Sequence, residues 1–180
     1  MALPIDRNCP ANRQKAIHGL QLGLHFRLTD EQIAPVLAAA GDDALLTVLT
    51  TYEEDPTVFT LACETDKAWD PIACALSPAG DEGPWPARGV IGGSRSLQQD
   101  DDESWVTYLT PAEAAEVATY LEYLTDADFS RAYAEMPEEL RNPEFGQDEE
   151  SYALGALSGL REFFLAARDE HAHVVFNVLH

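Results

Sequence analysis

The most restrictive feature of this sequence is its last run, Val174-Val175-Phe176-Asn177-Val178-Leu179. Apolar residues stand at both odd and even positions, so a strand here would present apolar side chains to both of its faces. Such a strand is typical of the middle of a sheet that is covered on both sides. The run therefore predicts a C-terminal strand that is central in its sheet, with helices elsewhere in the chain to cover it.

Three segments carry the signature of a helix start. In each of them a threonine is followed three residues later by Gln, Glu or Asp, as in a capping box. The segments are Thr29–Gln32, Thr110–Glu113 and Thr125–Asp128. Together with a long apolar stripe over residues 149–170, they predict about five helices packed on a small mixed β-sheet. The expected fold class is α+β.

The length of 180 residues fits one domain. Residues 1–16 mix Pro, Asp, Asn and Arg and are expected to form a flexible N-terminal arm, so that residues 17–180 form the domain. An alternating pattern predicts a first strand over residues 17–26. Gly23 lies on the same strand face as His25, and close packing against a helix is the expected reason for a glycine there.

Local patterns give three further expectations. Residues 57–63 are interpreted as a short strand, and residues 66–76 as a helix with Asp66 in its first turn, where the helix dipole favours a carboxylate. Residues 89–93, Gly-Val-Ile-Gly-Gly, are interpreted as a short buried strand that leads into a tight turn.

The charge is strongly acidic. Thirty-two Asp and Glu residues against 11 Lys and Arg give a formal net charge of −21. Such a field repels nucleic acids and anionic membranes and attracts a basic protein surface. Alternatively, the acidic residues only keep the protein soluble. The candidate acidic partner surface is the loop of Asp100, Asp101, Asp102 and Glu103.

The sequence is typical of a cytoplasmic protein. Three cysteines at wide spacings, Cys9, Cys63 and Cys74, form neither a disulfide framework nor a zinc motif. The N-terminus lacks the apolar run of a signal peptide, and no stretch approaches the roughly 20 apolar residues of a membrane span.

Signatures of catalysis are absent from the sequence. It contains no Gly-x-Ser-x-Gly elbow, no Gly-Lys-Ser/Thr phosphate loop and no His-Glu-x-x-His helix. His171 and His173 have a spacing that can ligate a metal, but no third ligand is evident. We therefore expect no metal and no cofactor, and these features favour a protein without enzymatic activity over an enzyme. The candidate residues for binding a ligand or a partner are Asp66, Lys67, Trp69, Gly92 and Gly93.

The order of several segments resembles the YfbM-like bacterial proteins, a domain of unknown function. The resemblance covers about residues 17–180. It implies an α+β fold and no particular activity. The segments that carry it are Gly19–Phe26, Asp66-Lys67-Ala68-Trp69, Val90-Ile91-Gly92-Gly93, Leu109-Thr110-Pro111-Ala112-Glu113 and Leu160-Arg161-Glu162-Phe163-Phe164.

Two functions are compatible with these features of the sequence. The first is a non-catalytic acidic domain of the inhibitor or immunity type, which binds a basic protein. The alternative is a small-ligand-binding protein or an enzyme, with a pocket near Lys67, Trp69 and Gly92-Gly93. A flat or concave acidic face without a pocket would favour the first function, and a deep pocket with convergent polar groups would favour the second.

Overall fold

The computed structural model describes residues 22–98, 105–141 and 146–179. Within them the strands are β1 (Leu22–Leu28), β2 (Cys63–Asp66), β3 (Arg95–Ser96), β4 (Val106–Leu109) and β5 (His173–Leu179). The helices are α1 (Asp30–Ala38), α2 (Asp42–Glu54), α3 (Pro56–Phe59), α4 (Trp69–Leu76), α5 (Gly89–Gly92), α6 (Pro111–Tyr123), α7 (Asp126–Glu135) and α8 (Glu149–Asp169). No helix in these ranges is long and apolar enough to cross a membrane.

The strands form one sheet in the order β2-β1-β5-β4-β3. The predicted central position of the C-terminal strand is confirmed, because β5 pairs with β1 on one side and β4 on the other. All described pairings are antiparallel, whereas a mixed sheet was expected. The α+β class is confirmed. The described residues form eight helices instead of about five, in part because α3 and α5 are single turns that periodicity does not reveal.

Helices cover both faces of the sheet. On one face Val174, Phe176 and Val178 of β5 join the core formed with α4 to α8. On the other face Val175 joins a smaller core with α1, α2 and α3. Each of these four side chains is at most 2% exposed, which explains the apolar pattern on both sides of the strand.

The three predicted helix starts are confirmed. Thr29, Thr110 and Thr125 are the N-caps of α1, α6 and α7, and each forms a complete capping box. The threonine side-chain oxygen accepts the N–H of the third helical residue, while that residue's side chain bonds back to the cap. Two otherwise unpaired donors are satisfied at each start.

Three local expectations are wrong. Residues 89–92 form the helical turn α5 instead of a strand, because a run of four apolar or glycine residues is compatible with either structure. Residues 56–59 form α3, which starts where the Asp55 carboxylate accepts the N–H of Thr57 at 2.8 Å. Asp66 ends β2 with φ 47°, and α4 begins only at Trp69, so Asp66 is not in a first helical turn.

Gly23 of β1 is required by packing against a helix, as the sequence predicts. A Cβ there would lie 2.6 Å from Thr65 Oγ1 and 2.6 Å from Cδ1 of Trp69, the first residue of α4. Both distances are far below van der Waals contact. The glycine therefore lets α4 approach the sheet.

We expect Gly23→Ala to lower the free energy of unfolding by about 1–3 kcal/mol, the usual cost of overpacking a core. Gly155→Ala on α8 is the matched control, because a Cβ at Gly155 meets no atom within 4 Å. That control should raise stability by up to about 1 kcal/mol through helix propensity. Urea unfolding measures both changes, and equal stability of Gly23→Ala and the wild type would contradict this packing argument.

Candidate functional site

Trp69, a predicted contact residue, belongs to the core. Its side chain is 5% exposed, and its ring lies 5.6 Å from Trp105 and 6.1 Å from Phe176, measured between centroids. These three rings fill the space between α4 and the sheet. An indole in this position has no face left for a ligand, so we assign Trp69 to packing.

Asp66 connects the β2–α4 turn to α8. Its Oδ2 accepts a hydrogen bond from the Tyr152 hydroxyl at 2.5 Å. Burial, followed by this bond to a carboxylate, raises the pKa of Tyr152 to about 12. The tyrosine therefore stays protonated at neutral pH and holds the turn in place. Lys67 is half-buried in the same turn.

The two predicted glycines have different roles. Gly93 has φ 64°, and a Cβ there would lie 2.8 Å from the Cβ of Thr107, so the turn after α5 requires glycine. Gly92 has no such need, because a Cβ would meet only Trp105 at 3.9 Å, an ordinary contact. The N–H groups of Gly92 and Ser94 already bond the carbonyls of Arg88 and Tyr108. This turn is therefore no ready-made cradle for an anion.

The predicted acidic partner surface, Asp100, Asp101, Asp102 and Glu103, lies outside the described residues. A second acidic region lies within them, beside the edge strand β2. We name this region the β2 groove. It has a volume of about 390 Å³ and is lined by Arg27, Thr60, Leu61, Ala62, Cys63, Glu64, Gly159, Glu162 and Phe163.

The β2 groove is negatively charged. Glu64 and Glu162 are both exposed on its walls. Its cation, Arg27, is already paired, since its Nε lies 2.7 Å from Glu170 Oε2 and its side chain is only 12% exposed. The Arg27 guanidinium also lies 5.9 Å from the centre of the Phe163 ring. The exposed charges that remain in the groove are carboxylates.

The pKa of the Cys63 thiol shows the effect of the negative charges in the β2 groove. Burial, then the negative charges of Glu64 and Glu162, raise the pKa of its thiol to about 11. The two glutamates therefore act together on one point of the groove. A thiol with this pKa stays protonated at neutral pH and is a poor nucleophile. The chemistry of the groove is that of an acidic surface.

One polar chain was not foreseen from the sequence. His173 Nε2 is hydrogen-bonded to the Asp30 carboxylate at 2.9 Å, and His173 Nδ1 is hydrogen-bonded to the Tyr108 hydroxyl at 2.8 Å. The order carboxylate, imidazole and hydroxyl is that of a catalytic triad. Here the Tyr108 side chain is 3% exposed, and burial is the largest cause that raises its pKa. The chain therefore serves to join α1, β4 and β5.

His171 and His173 do not form a metal site with other described residues. His171 has φ 53° at the helix–strand junction and is exposed, and both nitrogens of His173 are occupied by Asp30 and Tyr108. In the part of the chain that the structure describes, no group of three or more His, Cys, Asp or Glu side chains could hold a metal ion.

Residues 21–177 match the model of a protein family described as a domain of unknown function, DUF1877. Among solved structures, the chain is similar to YfbM from Escherichia coli, a protein of unknown function, with a TM-score of 0.57. The match has 16% sequence identity and covers 88% of this chain and 99% of that one, so it shows the fold alone. No curated protein matches the sequence.

Proposed function

The chain belongs to the DUF1877 family, and we propose that it is a non-catalytic acidic domain that binds a basic segment of another protein in the β2 groove. The observation that carries the proposal is the pair of exposed glutamates, Glu64 and Glu162, in a groove whose own arginine is already neutralised. A formal net charge of −21 would speed the approach of a basic partner. This role includes inhibitor and immunity-type domains.

The shape of the groove supports an extended occupant. Among the described strands, β2 lies at the edge of the sheet and pairs with β1 alone. An extended segment can lie against such an edge, with main-chain bonds for affinity and side-chain pockets for specificity. The groove is large enough, at about 390 Å³, for a few side chains of such a segment.

Apolar side chains add to the charge. Leu61 on the groove wall is 40% exposed, and Phe59 just before it is 37% exposed. Apolar side chains next to carboxylates suit a partner that alternates basic and apolar residues. This mixture distinguishes the groove from an acidic surface that only confers solubility.

We expect an extended peptide of alternating lysine and valine to bind the wild type, and the affinity to fall as salt rises from about 50 to about 300 mM. The double variant Glu64→Gln and Glu162→Gln should weaken binding about fivefold, because exposed charge pairs typically contribute about 0.5 kcal/mol each. Fluorescence anisotropy with a labelled peptide measures the dissociation constants.

Two further variants make the test specific. Glu138→Gln with Glu139→Gln removes the same charge from exposed residues that do not line the groove, and it should leave affinity nearly unchanged. If this control weakened binding as much as the groove variant does, binding would depend on net charge alone and the proposal would be wrong. Neutralising Asp100, Asp101, Asp102 and Glu103 tests the loop predicted from sequence, and we expect slower association with little change in melting.

The alternative function from the sequence, a pocket formed by Lys67, Trp69 and Gly92-Gly93, has less support. Trp69 is closed off in the core, and Lys67 lines neither the β2 groove nor the pockets around Gly92. Gly92 borders a cavity of about 150 Å³, and its neighbours there are different residues.

A further inference from the structure

A second cavity lies at the opposite edge of the sheet from the β2 groove. It has a volume of about 150 Å³ and is bordered by α5, β3 and β4. We name it the Arg88 pocket. Its lining includes the charged residues Asp81, Arg88 and Arg95 and, beside them, Gly92, Ser96 and Trp105. Its size is that of about five water molecules, which limits an occupant to a small molecule or a small group.

Arg88 gives the pocket a positive charge in a strongly acidic protein. Four other arginines are paired with carboxylates at 2.7–2.9 Å: Arg27, Arg131, Arg161 and Arg168. Arg88 makes no ion pair with any carboxylate of the described residues. Its Nη1 donates to the main-chain carbonyl of Asp81 at 3.0 Å, and its guanidinium lies 5.6 Å from the Trp85 ring centre. These contacts hold the guanidinium in place and leave further N–H donors available.

Ser96 supplies a second donor. Its Oγ accepts the N–H of Gln98 at 3.3 Å, so the hydroxyl hydrogen remains able to donate. Ser96 pairs in register with Thr107 across β3 and β4, which places both on the pocket side of the sheet. Thr107 uses its own hydroxyl hydrogen on the Ile91 carbonyl at 3.1 Å. The wall of the pocket therefore offers Arg88 and the Ser96 hydroxyl donor. It also includes a second arginine, Arg95, which lies over the Tyr108 ring, and one acidic residue, Asp81.

Gly92 keeps the pocket open. Unlike Gly93, it has no positive φ, and a Cβ would have no contact closer than 3.9 Å. Neither the backbone nor the packing requires a glycine at this position. Any side chain there would occupy the space between α5 and Trp105 that the cavity uses.

We propose that the Arg88 pocket binds the oxyanion of a small metabolite, a phosphate or a carboxylate group. The guanidinium provides the charge and paired N–H donors that suit a planar carboxylate or a phosphate edge. The Ser96 hydroxyl donates to a remaining oxygen, and the Trp105 indole covers the apolar part of the ligand. This site is separate from the β2 groove and does not depend on the function proposed for that groove.

Isothermal titration with inorganic phosphate, malonate and neutral glycerol tests the site and separates its ligand classes. We expect phosphate or malonate to bind and glycerol to give no heat. Preference for malonate would identify a small carboxylate, and preference for phosphate would identify a phosphate group. Arg88→Met should weaken binding at least tenfold, and Gly92→Val should abolish it by filling the cavity.

Two variants control for a structural role of Arg88 and for the loss of a positive charge elsewhere. Arg88→Lys keeps the charge and should retain part of the affinity. If Arg88 had only a structural role, Arg88→Lys and Arg88→Met would weaken binding equally. Arg141→Met removes an arginine that lies over Tyr133, makes no ion pair with a described carboxylate and does not line the pocket, so it should bind as the wild type does. Absence of binding to the folded wild type, or equal weakening by Arg141→Met, would overturn the proposal.

Discussion

Removal of residues 174–180 is expected to leave a chain that no longer unfolds in a cooperative transition. The deletion removes nearly all of β5, which joins the two halves of the sheet. It also removes four side chains that are at most 2% exposed: Val174, Val175, Phe176 and Val178. Burial of each stabilises the fold by about 1.5–3 kcal/mol, and their sum is comparable with the whole stability of an ordinary domain.

A graded variant makes this expectation quantitative. Phe176→Ala should lower the free energy of unfolding by about 3–5 kcal/mol, because Trp69, Trp105 and His25 all pack against that ring. Tyr123→Ala is the control, since its side chain is 78% exposed and should change stability by less than about 0.5 kcal/mol. Urea unfolding and circular dichroism provide the measurements. A truncated protein that remains soluble and melts cooperatively would show that β5 is not essential.

The features that could be predicted from the sequence depend on neighbouring residues. A capping box is complete within four residues, so Thr29, Thr110 and Thr125 could be assigned without knowing the fold. The β5 run can likewise be interpreted without knowing the fold, because a strand that is buried on both faces has apolar residues at both odd and even positions. The sequence also predicts correctly that Gly23 allows a helix to pack closely against β1.

The errors arise where a pattern is too short. Gly89-Val90-Ile91-Gly92 has buried residues in either a strand or a helical turn, and four positions cannot separate a period of 2 from one of 3.6. Asp66 has the composition of a helix start, but its φ of 47° turns the chain between β2 and α4. Asn and Asp adopt this conformation more readily than most residues, although nothing in the sequence requires it here.

The candidate sites were harder to predict because they combine distant segments. The β2 groove brings Glu64 beside Glu162, and the Arg88 pocket brings α5 beside β3 and β4. The sequence does not mark Arg88 as a binding residue, since a lone arginine is usually a surface residue. Its significance comes from what the fold places around it. Of the residues predicted from the sequence, Gly92 borders the Arg88 pocket, whereas Trp69 lies in the core.

His25 should make the stability of this protein depend on pH. The ring is fully buried, and burial lowers its pKa from 6.5 to about 4, although the hydrogen bond to Val90 acts in the opposite direction. Its Nε2–H donates to the Val90 carbonyl at 3.0 Å, and Nδ1 has no partner among the described residues. Protonation would add an N–H at Nδ1 with nothing to accept it.

The surroundings of His25 offer no compensation for a positive charge. The rings of Phe163, Phe164 and Phe176 lie within 6.0 Å of the imidazole, and Cys63 is its register partner on β2. Arg27, two residues along β1, contacts the same Phe163 ring and is itself a cation. An imidazolium here would therefore be desolvated among aromatic rings.

The sign of the effect follows from the lowered pKa. Below pH 6.5 the unfolded chain takes up a proton at His25 that the folded protein does not, so stability falls as pH decreases toward 4. The stability that the neutral ring contributes is fully present above pH 6.5. At pH 4 about 3 kcal/mol of it should be lost, by the usual value of 1.36 kcal/mol for each pKa unit.

Comparison with His25→Leu isolates this contribution from that of the carboxylates, which also titrate in acid. The variant should be less stable than the wild type at pH 7.5, because the Val90 carbonyl loses its donor. From pH 7.5 to 4 the wild type should then lose about 3 kcal/mol more than the variant in urea unfolding. Phe164→Leu, a core substitution beside the same ring, should lower stability at every pH and keep the wild-type slope. Parallel curves for the wild type and His25→Leu would mean that the imidazole is already protonated in the folded protein, or that it finds an acceptor at Nδ1.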